Sequence, residues 1–228
     1  MTEKSNYVLV SGGSGGIGSA LCRMLPTIGY RPIIAYRNHR ERAEALATEC
    51  LGQTLELDLT NDESIEQALT HLTDLIGTEG KLSGVVLAAS PPPELLAFGK
   101  LTSSNLTHQF RVNVVGPQLL LAGLIKKFFR KEKSGFVIGI LTEAIGNDSR
   151  PPATSMGAYI IAKTAMKGML SVCAAEHQWL QVHTSSPGFT ETEMLKVFDP
   201  RHLELMRMNT TFSTAEEAAS RILEKIPR

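Results

Sequence analysis

Sulfur is scarce in this chain. Its three cysteines, Cys22, Cys50 and Cys173, lie far apart, with no C-x-x-C pair and no histidine at ligand spacing. Neither a disulfide framework nor a metal site is therefore expected, and the cysteines read as small buried hydrophobes. Net charge is missing too: 23 basic residues meet 23 acidic ones, and no block carries a single sign. That balance argues against nucleic acid or an anionic membrane as a partner. No repeat period, low-complexity tract or Pro/Gly-rich linker divides the chain. Its 228 residues suffice for one well-packed core and are few for two, so a single domain over residues 1–228 is expected. Polar Thr2 to Asn6 lead straight into an apolar run, leaving no room for a signal peptide, and no apolar stretch approaches membrane-spanning length. Together these absences set the expectation of a soluble protein in a reducing cytoplasm.

What the chain does have is concentrated in Tyr7-Val-Leu-Val-Ser-Gly-Gly-Ser-Gly-Gly-Ile-Gly18. Tyr7 to Val10 reads as a buried strand, five glycines follow, and Ser19 to Ile28 has the pattern of an amphipathic helix. A side chain in such a turn would hold the backbone away from a pyrophosphate, whose charge is met by free N–H groups and by the helix dipole. Gly13-x-Gly15-x-x-Gly18 satisfies the dinucleotide fingerprint in the strand-turn-helix setting it requires.

The rest of the chain alternates in the same way. Strands are expected at Pro32 to Tyr36, Thr54 to Asp58, Leu82 to Ala89, Gly135 to Leu141 and Trp179 to Thr184. Helices are expected at Arg40 to Cys50, Asn61 to Ile76, Ser103 to Arg130, Met156 to Glu176 and Thr214 to Ile226. Pro91-Pro-Pro93 interrupts the middle. This alternation implies an α/β fold, a Rossmann-type doubly wound parallel sheet with ligands at the carboxyl ends of the strands.

The end of the second strand bears on which dinucleotide fits. A carboxylate about 20 residues past the glycines would hold the ribose hydroxyls of NAD. Tyr36 and Arg37 stand there instead, with His39, Arg40 and Arg42 behind, which favours NADPH because a guanidinium can grip the 2′-phosphate. These arginines also fit the solvated start of a helix. Asp58 suits either a hydrogen bond from the adenine amino group or an N-terminal helix cap.

Tyr159 and Lys163 lie four apart in a helical pattern, so both project from one face. A phenol of pKa about 10 is a poor acid near neutrality, and a neighbouring ammonium would lower that value toward the working pH.

At this point the chain resembles the short-chain dehydrogenase/reductase family, in its single-domain branch. Ser11-Gly-x-x-x-Gly16-Ile-Gly18, Asp58, Asn113 in Val112-Asn-Val-Val-Gly116, Tyr159-x-x-x-Lys163 and Pro187-Gly-x-x-x-Thr192 fall in that family's order and spacing, from residue 7 to about 195. Gly135 to Thr142 and Pro187 to Met194 look most like the β-ketoacyl-carrier-protein reductases. The resemblance implies that Thr142 steadies a substrate carbonyl oxygen in place of the usual serine and that Tyr159 protonates it. Lys163 would lower the tyrosine pKa and bind the nicotinamide ribose, Asn113 would hold a proton-relaying water, and Thr192 would touch the carboxamide. It also implies that Ser11, Gly12, Gly13, Ser14, Ile17, Leu59, Ala88, Ala89, Ser90, Gly188 and Thr190 lie along the cofactor. Asn113 could instead satisfy backbone groups in mid-helix, and Thr142 could cap a turn.

Three departures stand out. Leu87-Ala88-Ala89-Ser90 replaces the family's Asn-Asn-Ala-Gly, removing amide side chains that brace the sheet end. The loop from Thr142 to Tyr159 is longer than in close relatives. The family's seventh strand is expected to be missing, which makes a homodimer through the two long helices as reasonable as a homotetramer. Residues 189–212 are expected to form a lid, whose Met-rich apolar face suits either an acyl chain or core packing. The reading is NADPH-dependent reduction of a ketone, a β-ketoacyl thioester linked to carrier protein or CoA, or a similar apolar ketone. The alternatives are a cofactor-binding regulatory subunit, favoured by the three departures, and a reductase of a pterin-like or aromatic carbonyl.

Overall fold

The computed structural model describes residues 5–78 and 80–228, so Thr2 to Lys4, part of the expected polar lead-in, lie outside the described residues. Six strands, β1 (Ser5–Ser11), β2 (Tyr30–Tyr36), β3 (Gln53–Glu56), β4 (Gly80–Leu87), β5 (Phe136–Ile140) and β6 (Gln181–Ser185), run parallel in the order β3-β2-β1-β4-β5-β6. This is the doubly wound order in which the crevice for a ligand opens above β1 and β4, where the winding reverses.

Alternate residues of each strand serve opposite faces. Tyr7 and Leu9 of β1 join a core beneath α3 (Asp62–Ile76), α4 (Ser103–Phe110), α5 (Gly116–Leu124) and α6 (Gly157–Glu176). Val8 and Val10 join the other core, covered by α1 (Gly16–Met24), α2 (Arg40–Glu49) and α8 (Ala215–Leu223). The helix α7 (Pro200–Asn209) lies outside both cores, apart from a buried Leu203. The C-terminal helix α8 packs against α1, buries Ile222 and Ile226, and is fastened where the Tyr30 hydroxyl donates to the Pro227 carbonyl at 2.9 Å. Each such aliphatic side chain is worth about 1.5–3 kcal/mol when removed from water.

Several expected boundaries shift for local reasons. The first helix gives way to a tighter turn at Leu25–Ile28, because Pro26 has no N–H to continue the α pattern. The strand expected through Asp58 ends at Glu56, and the expected Trp179 start of the last strand moves to Gln181. The long helix expected from Ser103 is continuous to Phe129 but contains two π turns, Arg111–Val115 and Ile125–Phe129. In each, an N–H reaches five residues back: Gly116 to Arg111, and Arg130 to Ile125 at 2.9 Å. Contrary to expectation, this helix is long and apolar enough to cross a membrane by those two criteria alone. Its apolarity has a local cause, since Leu120, Leu121, Leu124, Ile125 and Phe129 are buried in the core. Among the described residues the sheet has no seventh strand, and β6 pairs on one side only.

Candidate active site

The turn after β1 is built so that backbone can approach backbone. Gly12 adopts φ +65°, and a Cβ there would stand 2.8 Å from the Cα and N of Ala89. A Cβ on Gly18 would overlap the Gly12 carbonyl oxygen. No side chain caps the N-terminus of α1, so the N–H groups of its first turn face the cleft bordered by Gly16, Ile17 and Gly18. That arrangement fits a pyrophosphate. The end of β4, which lacks the expected amide side chains, is braced by Ser11, whose Oγ accepts from Ala89 N at 3.3 Å and whose carbonyl accepts from Ala88 N at 3.2 Å.

From this turn a cleft of about 1100 Å³ runs in two directions along the sheet end. At one end lie Tyr36, Arg37, His39, Arg42, Asp58 and Leu59. Asp58 Oδ1 accepts from Thr60 N at 2.8 Å and from Thr60 Oγ1 at 2.7 Å. It does not cap α3, a task done by Asn61, whose Oδ1 accepts from Glu63 N and Ser64 N. Burial pushes the Asp58 carboxyl up, but the Thr60 hydrogen bonds, with Arg37 and Arg111 beyond, outweigh it and leave the group below its usual range.

At the other end Thr142, Tyr159 and Lys163 meet. Tyr159 enters from the first turn of α6 and Thr142 from just past β5. Thr142 Oγ1 accepts from Ala144 N at 3.2 Å, so it does cap a turn, and its hydroxyl hydrogen remains available to a ligand. Lys163 is buried and its Nζ donates to the Ile140 carbonyl at 2.8 Å. Burial pushes the Tyr159 phenol up to about 12, with the Thr142 hydroxyl pulling the other way, and pushes Lys163 down to about 7. The expectation that the lysine lowers the tyrosine is therefore reversed in this structure. Nζ is 5.8 Å from the ring centre, and a lysine driven toward its neutral form offers little charge to hold a phenolate.

The segment after β6 closes over the middle of the cleft. Pro187, Gly188, Thr190 and Thr192 line it, and the Thr192 side chain rests on Gly16, where a Cβ would overlap its methyl group. The two ends of residues 189–213 are tied together by Glu191 N to Ser213 O and Ser213 N to Phe189 O, both at 2.9 Å. Phe189 stacks on Phe212 at 4.8 Å between centroids and meets Phe198 edge-on at 5.9 Å. Met194, Leu195, Val197, Phe198 and Met206 face the cleft, whereas Leu205 and Met208 are 60% and 81% exposed. Only part of the apolar pattern in this segment therefore serves the cleft.

Ser14, Ala88, Ala89 and Ser90 also line the cleft wall, but two of the expected residues do not. Gly13 is turned toward β2, where a Cβ would meet Ile34 at 3.0 Å. Asn113 lies behind the wall at 0% exposure, inside the first π turn. Its Nδ2 donates to the Gln109 carbonyl at 3.1 Å and to Gln109 Oε1 at 3.0 Å, while its Oδ1 is buried without a partner among the described residues. The expected longer loop supplies further wall residues, Glu143 and Arg150, paired at 3.6 Å. Gln109 was not anticipated, although its spacing of four from Asn113 on a helix was a readable signal.

The comparisons with known proteins agree with this geometry. Residues 6–202 match the family model described as short chain dehydrogenase. The chain is 29% identical over 197 residues to the 3-oxoacyl-(acyl-carrier-protein) reductase of Aggregatibacter actinomycetemcomitans, covering 84% of this chain and 78% of that protein. It is 31% identical over 204 residues to the 3-amino-tetrahydro-pyrrolizinone reductase of Xenorhabdus hominickii, covering 87% of this chain and 65% of that one. In fold it is similar to the crystal structure of a 3-ketoacyl-(acyl-carrier-protein) reductase from Brucella melitensis complexed with NADH, with a TM-score of 0.85 at 16% identity over 97% of this chain and 91% of that chain. A family model spanning both the glycine turn and the Tyr159–Lys163 pair leaves one assignment: the chain belongs to the short chain dehydrogenase family.

Proposed function

We propose that this protein reduces a ketone to a secondary alcohol with NADPH, and that the ketone is a β-ketoacyl thioester or a similar apolar carbonyl. The observation that carries the proposal is the convergence of Thr142, Tyr159 and Lys163 at one end of a cleft whose centre is an uncapped helix N-terminus lined with glycine. When bound, a reduced nicotinamide supplies the hydride that goes to the carbonyl carbon. The protein's own residues handle the oxygen. Thr142 Oγ1, already accepting from Ala144 N, donates its hydrogen to the carbonyl oxygen and steadies the charge developing there. Tyr159 is held as the neutral phenol and so carries the proton that same oxygen takes up. Lys163, fixed on the Ile140 carbonyl, keeps its remaining donors for the cofactor ribose and for returning a proton to Tyr159.

Arg37 and Arg42, with no carboxylate at the end of β2, support NADPH over NADH. Support for the thioester comes from the cleft face of Met194, Leu195, Val197, Phe198 and Met206, and from the reductase relatives. In this reading residues 189–212 act as a lid that excludes water. The test is to titrate the protein with NADPH and NADH, then follow reduced-nicotinamide absorbance with an acetoacetyl thioester, alongside Tyr159→Phe. Preferential NADPH binding with turnover that the variant abolishes is the expected result. Tight binding with no turnover across a carbonyl panel would overturn the reduction.

A further inference from the structure

Behind the cleft wall a chain of amides connects the proline segment after β4 to the first π turn. Gln109, 1% exposed, donates from Nε2 to the Pro92 carbonyl at 2.9 Å and accepts at Oε1 from Asn113 Nδ2 at 3.0 Å. Asn113 Nδ2 also donates to the Gln109 backbone carbonyl at 3.1 Å. The polarity of this chain is fixed at its far end. A carbonyl can only accept, so Pro92 dictates which end of the Gln109 amide faces it. A flipped Gln109 would set two oxygens together and turn an N–H against the N–H of Asn113. With Gln109 so oriented, both Asn113 N–H groups are engaged, and the one open end is Oδ1, a buried acceptor. The π turn that carries it packs against α6, the helix of Tyr159 and Lys163. Pro91, Pro92 and Pro93 have no N–H with which to hold that segment, so an outside donor is needed to tie it.

We infer that Gln109 is a positioning residue: it orients the Asn113 carboxamide so that Oδ1 serves as the acceptor end of the proton route to Lys163 and Tyr159. The inference rests on the reduction proposed above. Gln109 touches neither the ketone nor the cofactor site, so its effect falls on proton supply and leaves binding alone.

Two variants test it. Gln109→Leu keeps the volume and removes both the donor and the acceptor. Gln109→Glu in its protonated form can still donate to Pro92 and accept from Asn113, and burial among acceptors raises its carboxyl pKa. For Gln109→Leu the expectation is a loss in kcat of about 10-fold or more, with KM and dinucleotide affinity held within about twofold, and a larger solvent deuterium isotope effect on kcat. Gln109→Glu is expected to match the wild-type kcat at low pH and to lose it as its carboxyl ionises, adding a pH limb that the wild type lacks. A readout that needs no turnover is solvent exchange of the Asn113 side-chain N–H groups by NMR, slow in the wild type and about 10-fold faster in Gln109→Leu. Wild-type kcat, isotope effect and Asn113 protection in Gln109→Leu would overturn the inference. So would a kcat loss matched by equal losses in cofactor affinity and melting temperature, which would assign Gln109 to packing. A wild-type protein that turns over no ketone overturns the reduction and this role with it, and the exchange data tell that failure from failure of the amide chain alone.

Discussion

Lys163 Nζ lies 2.8 Å from the carbonyl oxygen of Ile140, so the second turn of α6 is tied to the last residue of β5 by a group that burial pushes down to about 7. The unfolded chain keeps this proton up to the ordinary lysine value of 10.5, so between about pH 7 and 10.5 the unfolded state binds more protons and stability rises with pH. Tyr159 acts oppositely. Its phenol holds its proton to about 12 when folded and to 10 when unfolded, so stability falls between those values. The urea midpoint of the unligated protein is expected to climb from pH 7 to about 10 and then decline, and Lys163→Met is expected to flatten the climb. At about 1.4 kcal/mol per pKa unit, the rise amounts to a few kcal/mol at most. A wild-type midpoint constant over this range would refute the account.

Tyr159→Phe removes the proton donor and leaves the ring packing in place. Its kcat is expected to fall by about 10²–10⁴-fold with dinucleotide affinity unchanged. Thr142→Val, which loses one hydrogen bond to the oxygen, is expected to cost about 10²-fold. Ordinary steady-state kinetics with fluorescence titration of the cofactor separates these effects from binding losses.

Glycine substitutions should divide by surroundings. Gly12→Ala meets both a positive φ and the Ala89 backbone at 2.8 Å, so it is expected to cost about 1–3 kcal/mol and to weaken dinucleotide binding. Gly29 has φ +83° but open space around it, so Gly29→Ala is expected to cost only about 1 kcal/mol and to leave binding intact. Equal binding by both variants would show that the close approach at Gly12 does not matter.

Arg37→Asp places a carboxylate where the end of β2 has none. The preference for NADPH over NADH is expected to fall by about 10–100-fold, mostly through weaker NADPH binding. An unchanged ratio would take Arg37 out of the phosphate site and leave Arg42 as the candidate.

Arg207 fastens the segment over the cleft, with Nη2 reaching Glu191 Oε1 at 2.9 Å and Oε2 at 3.1 Å while the guanidinium covers Phe212 at 4.9 Å. Arg207→Ala is expected to raise KM for an apolar thioester by several-fold without a comparable loss of cofactor affinity, because exposed contacts of this kind are worth about 1 kcal/mol or less. Faster proteolysis within residues 189–212 would accompany it.

The sheet was legible because each strand is a short apolar run ending at a glycine, proline or polar punctuation. The glycine turn was legible because its residue types have few other uses. What escaped was set by neighbours distant in sequence. Burial of Lys163 reversed the expected effect on Tyr159, and Asn61, three residues past Asp58, took the helix cap. Ser11 replaced the amide brace at β4 through a contact 78 residues away. The part played by Gln109 depends on the carbonyl of Pro92, which no local pattern announces.

The two π turns give the long helix a different kind of significance. Each adds a residue without adding a full turn, so the helix behaves as rods set out of phase, with Asn113 at the first offset. Removing one residue from Arg111–Val115 would restore regular winding and rotate everything beyond by about 100°. Leu120, Leu121 and Leu124 would then swing away from the sheet. The niche around Asn113 and the seam between helix and sheet are thus geared together, and insertions or deletions here must come in compensating pairs.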